Sequence, residues 1–175
     1  MLTLKTRRTL EASARIAVRR VTSRLDKEHI RKGGICRLFY FVPEEGMEGL
    51  CPLFESWIGG RQNIGKRPKY TCLAPEKGFR LALNARLFGH ISSAQSAKPE
   101  NHQYQGAVRV RVKIPEIGGD NYIWVVSTFS GLPADADERV SLLIPALIPW
   151  QVKMGDIENV VNASGNVDAY RQLVR

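Results

Sequence analysis

The sequence predicts an α+β layered domain, a central antiparallel sheet flanked by helices, and three observations predict it. Residues 9–27, 75–93 and 135–147 carry apolar side chains at spacings of three and four, the period of a one-sided helix. Residues 107–114 and 122–129 have strand lengths and strand composition and are joined by the turn Pro-Glu-Ile-Gly-Gly-Asp, so they pair as an antiparallel hairpin. The order helix, strand, irregular region, helix, strand, turn, strand, helix brackets that sheet with helices.

The first helix, over 9–27, has Leu10, Ala14, Ala17, Val18, Val21 and Leu25 on one face and arginines mostly on the other; Gly33-Gly34 ends it. Residues 35–42 (ICRLFYFV) are aromatic and β-branched and close at Pro43, which reads as a strand. Residues 43–75 are rich in glycine and proline, so turns are frequent. Within them 53–58 reads as a short strand or a helical turn, and 70–73 as a second strand. Pro75 and Glu76 suit the first turn of a helix, with Phe79, Leu83 and Leu87 as its apolar stripe and Ala82 and Ala85 beside it. Gly89 breaks that helix early or is tolerated within it, and 92–105 is polar and loop-like.

Val108, Val110, Val112 and Ile114 alternate with Arg109, Arg111 and Lys113, a half-buried strand with a charged outer face. Residues 122–129 are almost continuously apolar and suit a central strand. Asp135, Asp137 and Glu138 then open a helix whose dipole they complement. Val140, Leu143, Ile144 and Leu147 give its apolar face, and Pro145 and Pro149 kink or end it. Residues 1–150 form one domain on this reading. Residues 151–175 form a mostly polar C-terminal extension with one weak helix.

A chain of 175 residues, 43% apolar and 25% charged, has the size and composition of one globular domain. It needs neither disulfides nor metal to bury a core. Cys36, Cys51 and Cys72 show no CxxC spacing, no secretory segment is visible, and no run approaches the ~20 apolar residues of a membrane span. A cytoplasmic protein with free thiols is expected.

The net charge of +9 is concentrated: Lys5, Arg7, Arg8, Arg15, Arg19, Arg20, Arg24, Lys27, Arg31 and Lys32 lie in the first 32 residues. Such a face attracts nucleic acid, anionic lipid or an acidic protein, or is simply a solvated helix face. No zinc-finger, homeodomain or aromatic RNA-binding motif accompanies it.

Among His29, His90 and His102 there is no HExxH and no pair at helical spacing, which argues against a zinc site. His90 follows an apolar stripe in Leu87-Phe88-Gly89-His90. It is either a metal or haem-iron ligand or a helix-end histidine bonded to backbone. Cys51-Pro52 is either a thiolate ligand or a buried structural cysteine. The acidic trio at 135–138 is either an acid/base cluster or a helix N-terminus. Ser130 lacks the GxSxG frame of a hydrolase, and Gly59-Gly60 and Gly118-Gly119 match no phosphate loop.

Gly106-Ala-Val-Arg-Val-Arg-Val112, a turn, Val125-Val-Ser-Thr-Phe-Ser-Gly-Leu-Pro133 and Asp137 together resemble the C-terminal half of the haem-degrading-domain family, which includes glycolate-operon protein G and haem-binding sensor proteins. Upstream, Arg86-Leu-Phe-Gly-His-Ile-Ser-Ser93 is similar to the Phe-Gly-His-Ser-Ser helix of one branch, with Ile91 inserted. The likeness covers residues 86–140, and Glu138 stands where that branch often carries histidine. The resemblance implies a profilin-like fold with a small-ligand pocket between sheet and helix, and haem as the ligand of some members. His90, Phe88, Ser92, Ser130 and Asp137 are the ligand-site residues expected on this basis, with His90 the iron ligand if haem is bound.

Two functions follow as expectations. The first is a small-molecule binding or sensing domain without established catalysis, with haem as a candidate ligand. The second is a non-catalytic interaction protein that uses Arg7, Arg8, Arg15, Arg19 and Arg20 on the basic helix to bind an acidic partner or nucleic acid. A homo-oligomer is compatible with both.

Overall fold

The computed structural model describes residues 2–25, 33–59, 65–147 and 151–167. The chain is α+β, and among the described residues five strands, β1 (Gly34–Phe41), β2 (Leu50–Ile58), β3 (Ala107–Lys113), β4 (Tyr122–Ser130) and β5 (Gln151–Val152), form one antiparallel sheet in the order β2-β1-β4-β3-β5.

Helix α1 spans Leu4–Thr22 and starts five residues before the expected position, because Thr3 caps it: its hydroxyl accepts from the Thr6 N–H at 3.2 Å. Such a cap contributes about 1 kcal/mol. Leu10, Ala14, Ala17, Val18 and Val21 are buried as their spacing requires, while Arg7, Arg8, Arg15, Arg19 and Arg20 are exposed. The helix ends at Thr22, with Ser23 as its C-cap, and so stops short of the expected end at 27; position 27 itself lies outside the described residues.

Strand β1 (Gly34–Phe41) pairs with β2 (Leu50–Ile58), so the segment left open between strand and helical turn is a strand. The register shifts opposite Leu38 and Phe39, and Pro52 sits at that bulge on an edge strand, where a missing N–H is tolerated. Strands β3 (Ala107–Lys113) and β4 (Tyr122–Ser130) are the expected hairpin, with one helical turn at Pro115–Gly118 in the connection. Helix α3 (Ala134–Leu147) follows, then β5 (Gln151–Val152) and α4 (Met154–Ser164).

The alternation of each strand distributes its side chains between two helical layers. Cys36, Leu38, Val108, Val110, Val125 and Phe129 face α1, α3 and α4 and share a core with Leu10, Val140, Leu143, Ile157 and Val160. Phe39, Phe41, Ala107 and Val126 face the other way, onto Leu81, Ala82 and Ala85 of α2 (Arg67–Phe88). The second face is not a solvated charged face. Arg109, 8% exposed, and Arg111 lie over the Trp124 ring at 4.6 and 4.8 Å.

Helix α2 corrects three sequence expectations. Residues 70–73 are helical rather than a strand, and Pro75 lies inside a helix of 22 residues; the first-turn proline is Pro68. The stripe Phe79, Leu83, Leu87 faces outward, 42%, 42% and 60% exposed. The side that meets the sheet is the small one, Ala74, Gly78, Ala82 and Ala85. A Cβ on Gly78 would sit 3.2 Å from Thr128 Cγ2 and 3.5 Å from Phe39, so small residues let the helix axis close on β1 and β4. The helix ends at Gly89, left-handed at φ 70°, the usual terminating geometry.

Two further differences concern Cys51 and the tail. Cys51 is exposed rather than a buried structural cysteine. The segment read as an extension contributes α4, whose Ile157, Val160 and Val161 are buried in the main core. Asp156 in its first turn accepts from the Arg111 backbone N–H at 2.8 Å and from Nε and Nη2 at 2.9 and 2.6 Å, which docks α4 on β3. Among the described residues no helix is long and apolar enough to cross a membrane.

Candidate ligand pocket

A cavity of about 280 Å³ opens at the end of β4, between the first turns of α2 and the turn that enters α3. Its inner wall is built around a buried ion pair. Lys77, 1% exposed on the sheet-facing side of α2, donates from Nζ to Asp137 Oδ2 at 2.7 Å and to the Phe129 carbonyl at 3.1 Å. Asp137, 3% exposed, also accepts from the Leu132 N–H at 2.8 Å through Oδ1. One carboxylate thus ties α2, the Ser-Gly-Leu-Pro turn and the first turn of α3 together.

Burial pushes the Asp137 carboxyl up to about 6, although Lys77 and the Leu132 and Gly131 N–H groups all pull it down. Desolvation outweighs the attraction, as is common for pairs taken out of water. Gly106 makes room for the pair: at φ +133°, a Cβ there would lie 2.6 Å from Lys77 Nζ and 2.9 Å from Asp137 Cβ.

Ser130, 2% exposed, lines the cavity beside the pair, and its hydroxyl has no hydrogen-bond partner among the described residues. Tyr70 forms part of the outer wall and stacks on Trp57 with ring centroids 6.3 Å apart. Its phenol is pushed up by burial and then by the Asp137 charge. Lys69 stands at the exposed rim, while Leu73, Leu132 and Pro133 supply the apolar surface.

The five residues expected as one ligand site are therefore divided. Ser130 and Asp137 meet in this cavity. Phe88 and His90 lie at the far end of α2, and the twelve residues from Lys77 to Gly89, at ~1.5 Å each, put them about 18 Å away along its axis. Phe88 is 69% exposed and touches the His90 ring at 5.7 Å between centroids, while His90 Nδ1 is buried without a partner. Ser92 is fully buried and committed: its hydroxyl donates to Glu138 Oε1 at 2.7 Å. For haem, this end of α2 supplies an imidazole and one exposed aromatic ring; Ser92 is turned inward and adds nothing.

Lys77, Lys69, Tyr70 and Leu132 were not among the expected residues. The signal for Lys77 was its position. It follows Ala74 and precedes Gly78 and Leu81 on the small-residue stripe, so its ammonium had to meet an anion inside the protein.

Both Asp137 oxygens are bonded, Oδ2 to Lys77 Nζ and Oδ1 to the Leu132 N–H. Among the described residues no three His, Cys, Asp or Glu side chains are grouped to hold a metal ion. No family model, curated protein or solved structure matches the chain, and the family resemblance rests on the residues quoted for it within 86–140.

Proposed function

We propose that the chain is a small-molecule-binding domain that holds its ligand in the cavity between α2 and the turn entering α3. The observation that carries this reading is a convergence on one concavity. The buried Lys77–Asp137 pair, the Ser130 hydroxyl and the Tyr70 phenol all line it, against the apolar surface of Leu73, Leu132 and Pro133. Ligand sites are concave and mostly apolar, with few placed polar groups, and typically measure ~300–1000 Å³. This cavity, at about 280 Å³, lies just below that range. The resemblance supports the same placement, because it implies a pocket between sheet and helix. The reading assigns no catalysis.

The test is a screen of anionic, neutral and cationic small molecules, followed by amide chemical shifts. Hits should move Tyr70, Ser130, Leu132 and Ala134 and should be lost when Leu73→Trp fills the cavity. Shifts scattered elsewhere, or none, would defeat the reading. Haemin belongs in the set. A saturable Soret change near one equivalent, kept in Leu73→Trp but lost in His90→Ala, would move the site to the end of α2.

A second reading has its own observation: Arg7, Arg8 and Arg19 are exposed along α1 and make no ion pair among the described residues. On that reading α1 docks on nucleic acid or an acidic protein. Binding would then fall steeply with salt, because counterion release drives it. Arg8→Glu tests it better than truncation, since Leu10, Ala14 and Val21 of the same helix are core residues. Binding that is indifferent to salt and to Arg8→Glu would exclude it.

A further inference from the structure

We propose that the ligand is a short-chain carboxylate, a compact organic monoanion whose carboxylate meets Lys77, Ser130 and Lys69 and whose apolar part lies on Leu73, Leu132 and Pro133. The proposal rests on the small-molecule reading of the same cavity and specifies its chemistry.

An ammonium has three N–H donors. Lys77 spends two, on the Phe129 carbonyl and on Asp137, and one remains. The Ser130 hydroxyl has no partner among the described residues although the side chain is 98% removed from solvent, being 2% exposed. Lys69 at the rim makes no ion pair among the described residues. The charged and carbonyl acceptors each already receive a donor. Asp137 Oδ2 receives Lys77, Oδ1 receives the Leu132 N–H, and the Pro133 carbonyl receives the Asp137 N–H at 2.8 Å. A ligand entering this wall meets two ammonium groups and one carboxylate that is already paired, which favours a ligand that brings charged acceptors.

Charge points the same way. Lys69 and Lys77 against Asp137 leave one positive charge on the wall. The turn through Pro133 and Ala134 also presents the N-terminal end of the 14-residue helix α3, which carries partial positive charge. One carboxylate balances this; a cation is repelled, and a neutral amide leaves the charge unanswered. Leu73, Leu132 and Pro133 distinguish an organic anion from an inorganic one, since bare phosphate gains nothing from apolar surface.

The experiment is an amide-shift titration of the full chain with butyrate and benzoate, each beside its amide and amine counterparts, and with inorganic phosphate. Carboxylates should saturate the Tyr70, Ser130 and Leu132 shifts, with the amides and amines weaker by about tenfold or more, as expected for charge-assisted bonds. Lys69→Gln and Ser130→Ala, both outside the structural pair, should each weaken the carboxylates about three- to tenfold. Amides or amines that bind as well as the carboxylates would overturn the proposal and leave the small-molecule reading standing. Phosphate binding as tightly as butyrate would overturn the organic part of it. Cavity hits from the screen with no carboxylate among them would overturn it too. Silence of these amides toward every probe and the whole screen would remove both readings.

Discussion

Replacing Glu138 by glutamine should flatten the dependence of stability on pH. Glu138 is 1% exposed; Oε1 accepts from Ser92, and Oε2 is buried without a hydrogen-bond partner. Burial raises its carboxyl from 4.5 to about 7; the Ser92 and Ser164 hydroxyls and Lys77 oppose that rise, and Asp135 adds to it. Because the folded value is the raised one, the folded chain holds this proton more tightly than the unfolded chain. The stability it contributes is fully present below the unfolded value and is lost as pH rises through about 7. At ~1.36 kcal/mol per pH unit, the loss between about pH 5 and about pH 8 is about 2 to 3 kcal/mol. That is a large share of the ~5–15 kcal/mol typical of a domain.

Glutamine keeps the shape and an acceptor for Ser92 but cannot ionise. Urea unfolding of both proteins at the two pH values isolates the effect, because other titrating groups, Asp137 included, are common to both. The wild type should lose about 2 to 3 kcal/mol more than Glu138→Gln over that interval. Parallel pH profiles, agreeing within ~0.5 kcal/mol, would refute the claim that this carboxyl is held neutral by burial.

Two further substitutions probe the packing that builds the pocket. Gly106→Ala forces a side chain into a backbone at φ +133° and against Lys77 Nζ. It should cost about 2 to 4 kcal/mol in urea unfolding, and a cost under ~1 kcal/mol would mean that the corner relaxes around the added methyl. Asp156→Ala removes three bonds from Arg111 and should cost about 2 to 3 kcal/mol. Hydrogen exchange should also accelerate at 157–161 more than in β4; uniform acceleration would show that α4 is not a separately docked unit.

The hairpin β3–β4 was legible because Val108, Val110 and Val112 are all buried on one face, so the alternation reported burial directly. Strand β1 was legible for a similar reason, its composition and its two boundaries agreeing. Helix α2 was misread because its buried stripe is made of alanine and glycine, which carry little hydrophobic weight, while the heavier Phe79, Leu83 and Leu87 point outward. Pro75 then imitated a helix start that Pro68 provides. Ser130 and Asp137 were expected because the resemblance implied them, and both line one cavity. Their cationic partner was missed because a lysine reads as solvent-facing until the small residues around it are recognised as the buried side.

Pro75 also bears on how a ligand would get in and out. Lacking an N–H, it gives nothing to the Thr71 carbonyl, and its ring crowds that carbonyl, so α2 has a weak seam between its first two turns and the rest. Tyr70 and Leu73 lie before the seam, while Lys77, bonded to Phe129 and Asp137, lies just after it. The opposite wall is clamped: Gly131 runs so close to the next strand that a Cβ would meet the Gly33 carbonyl oxygen at 2.3 Å. The wall that yields is thus the first two turns of α2. They can fray in the sub-microsecond range typical of helix ends while the sheet, the ion pair and the second half of the helix stay in place. Release of a bound molecule would then track that local opening and not the unfolding of the domain.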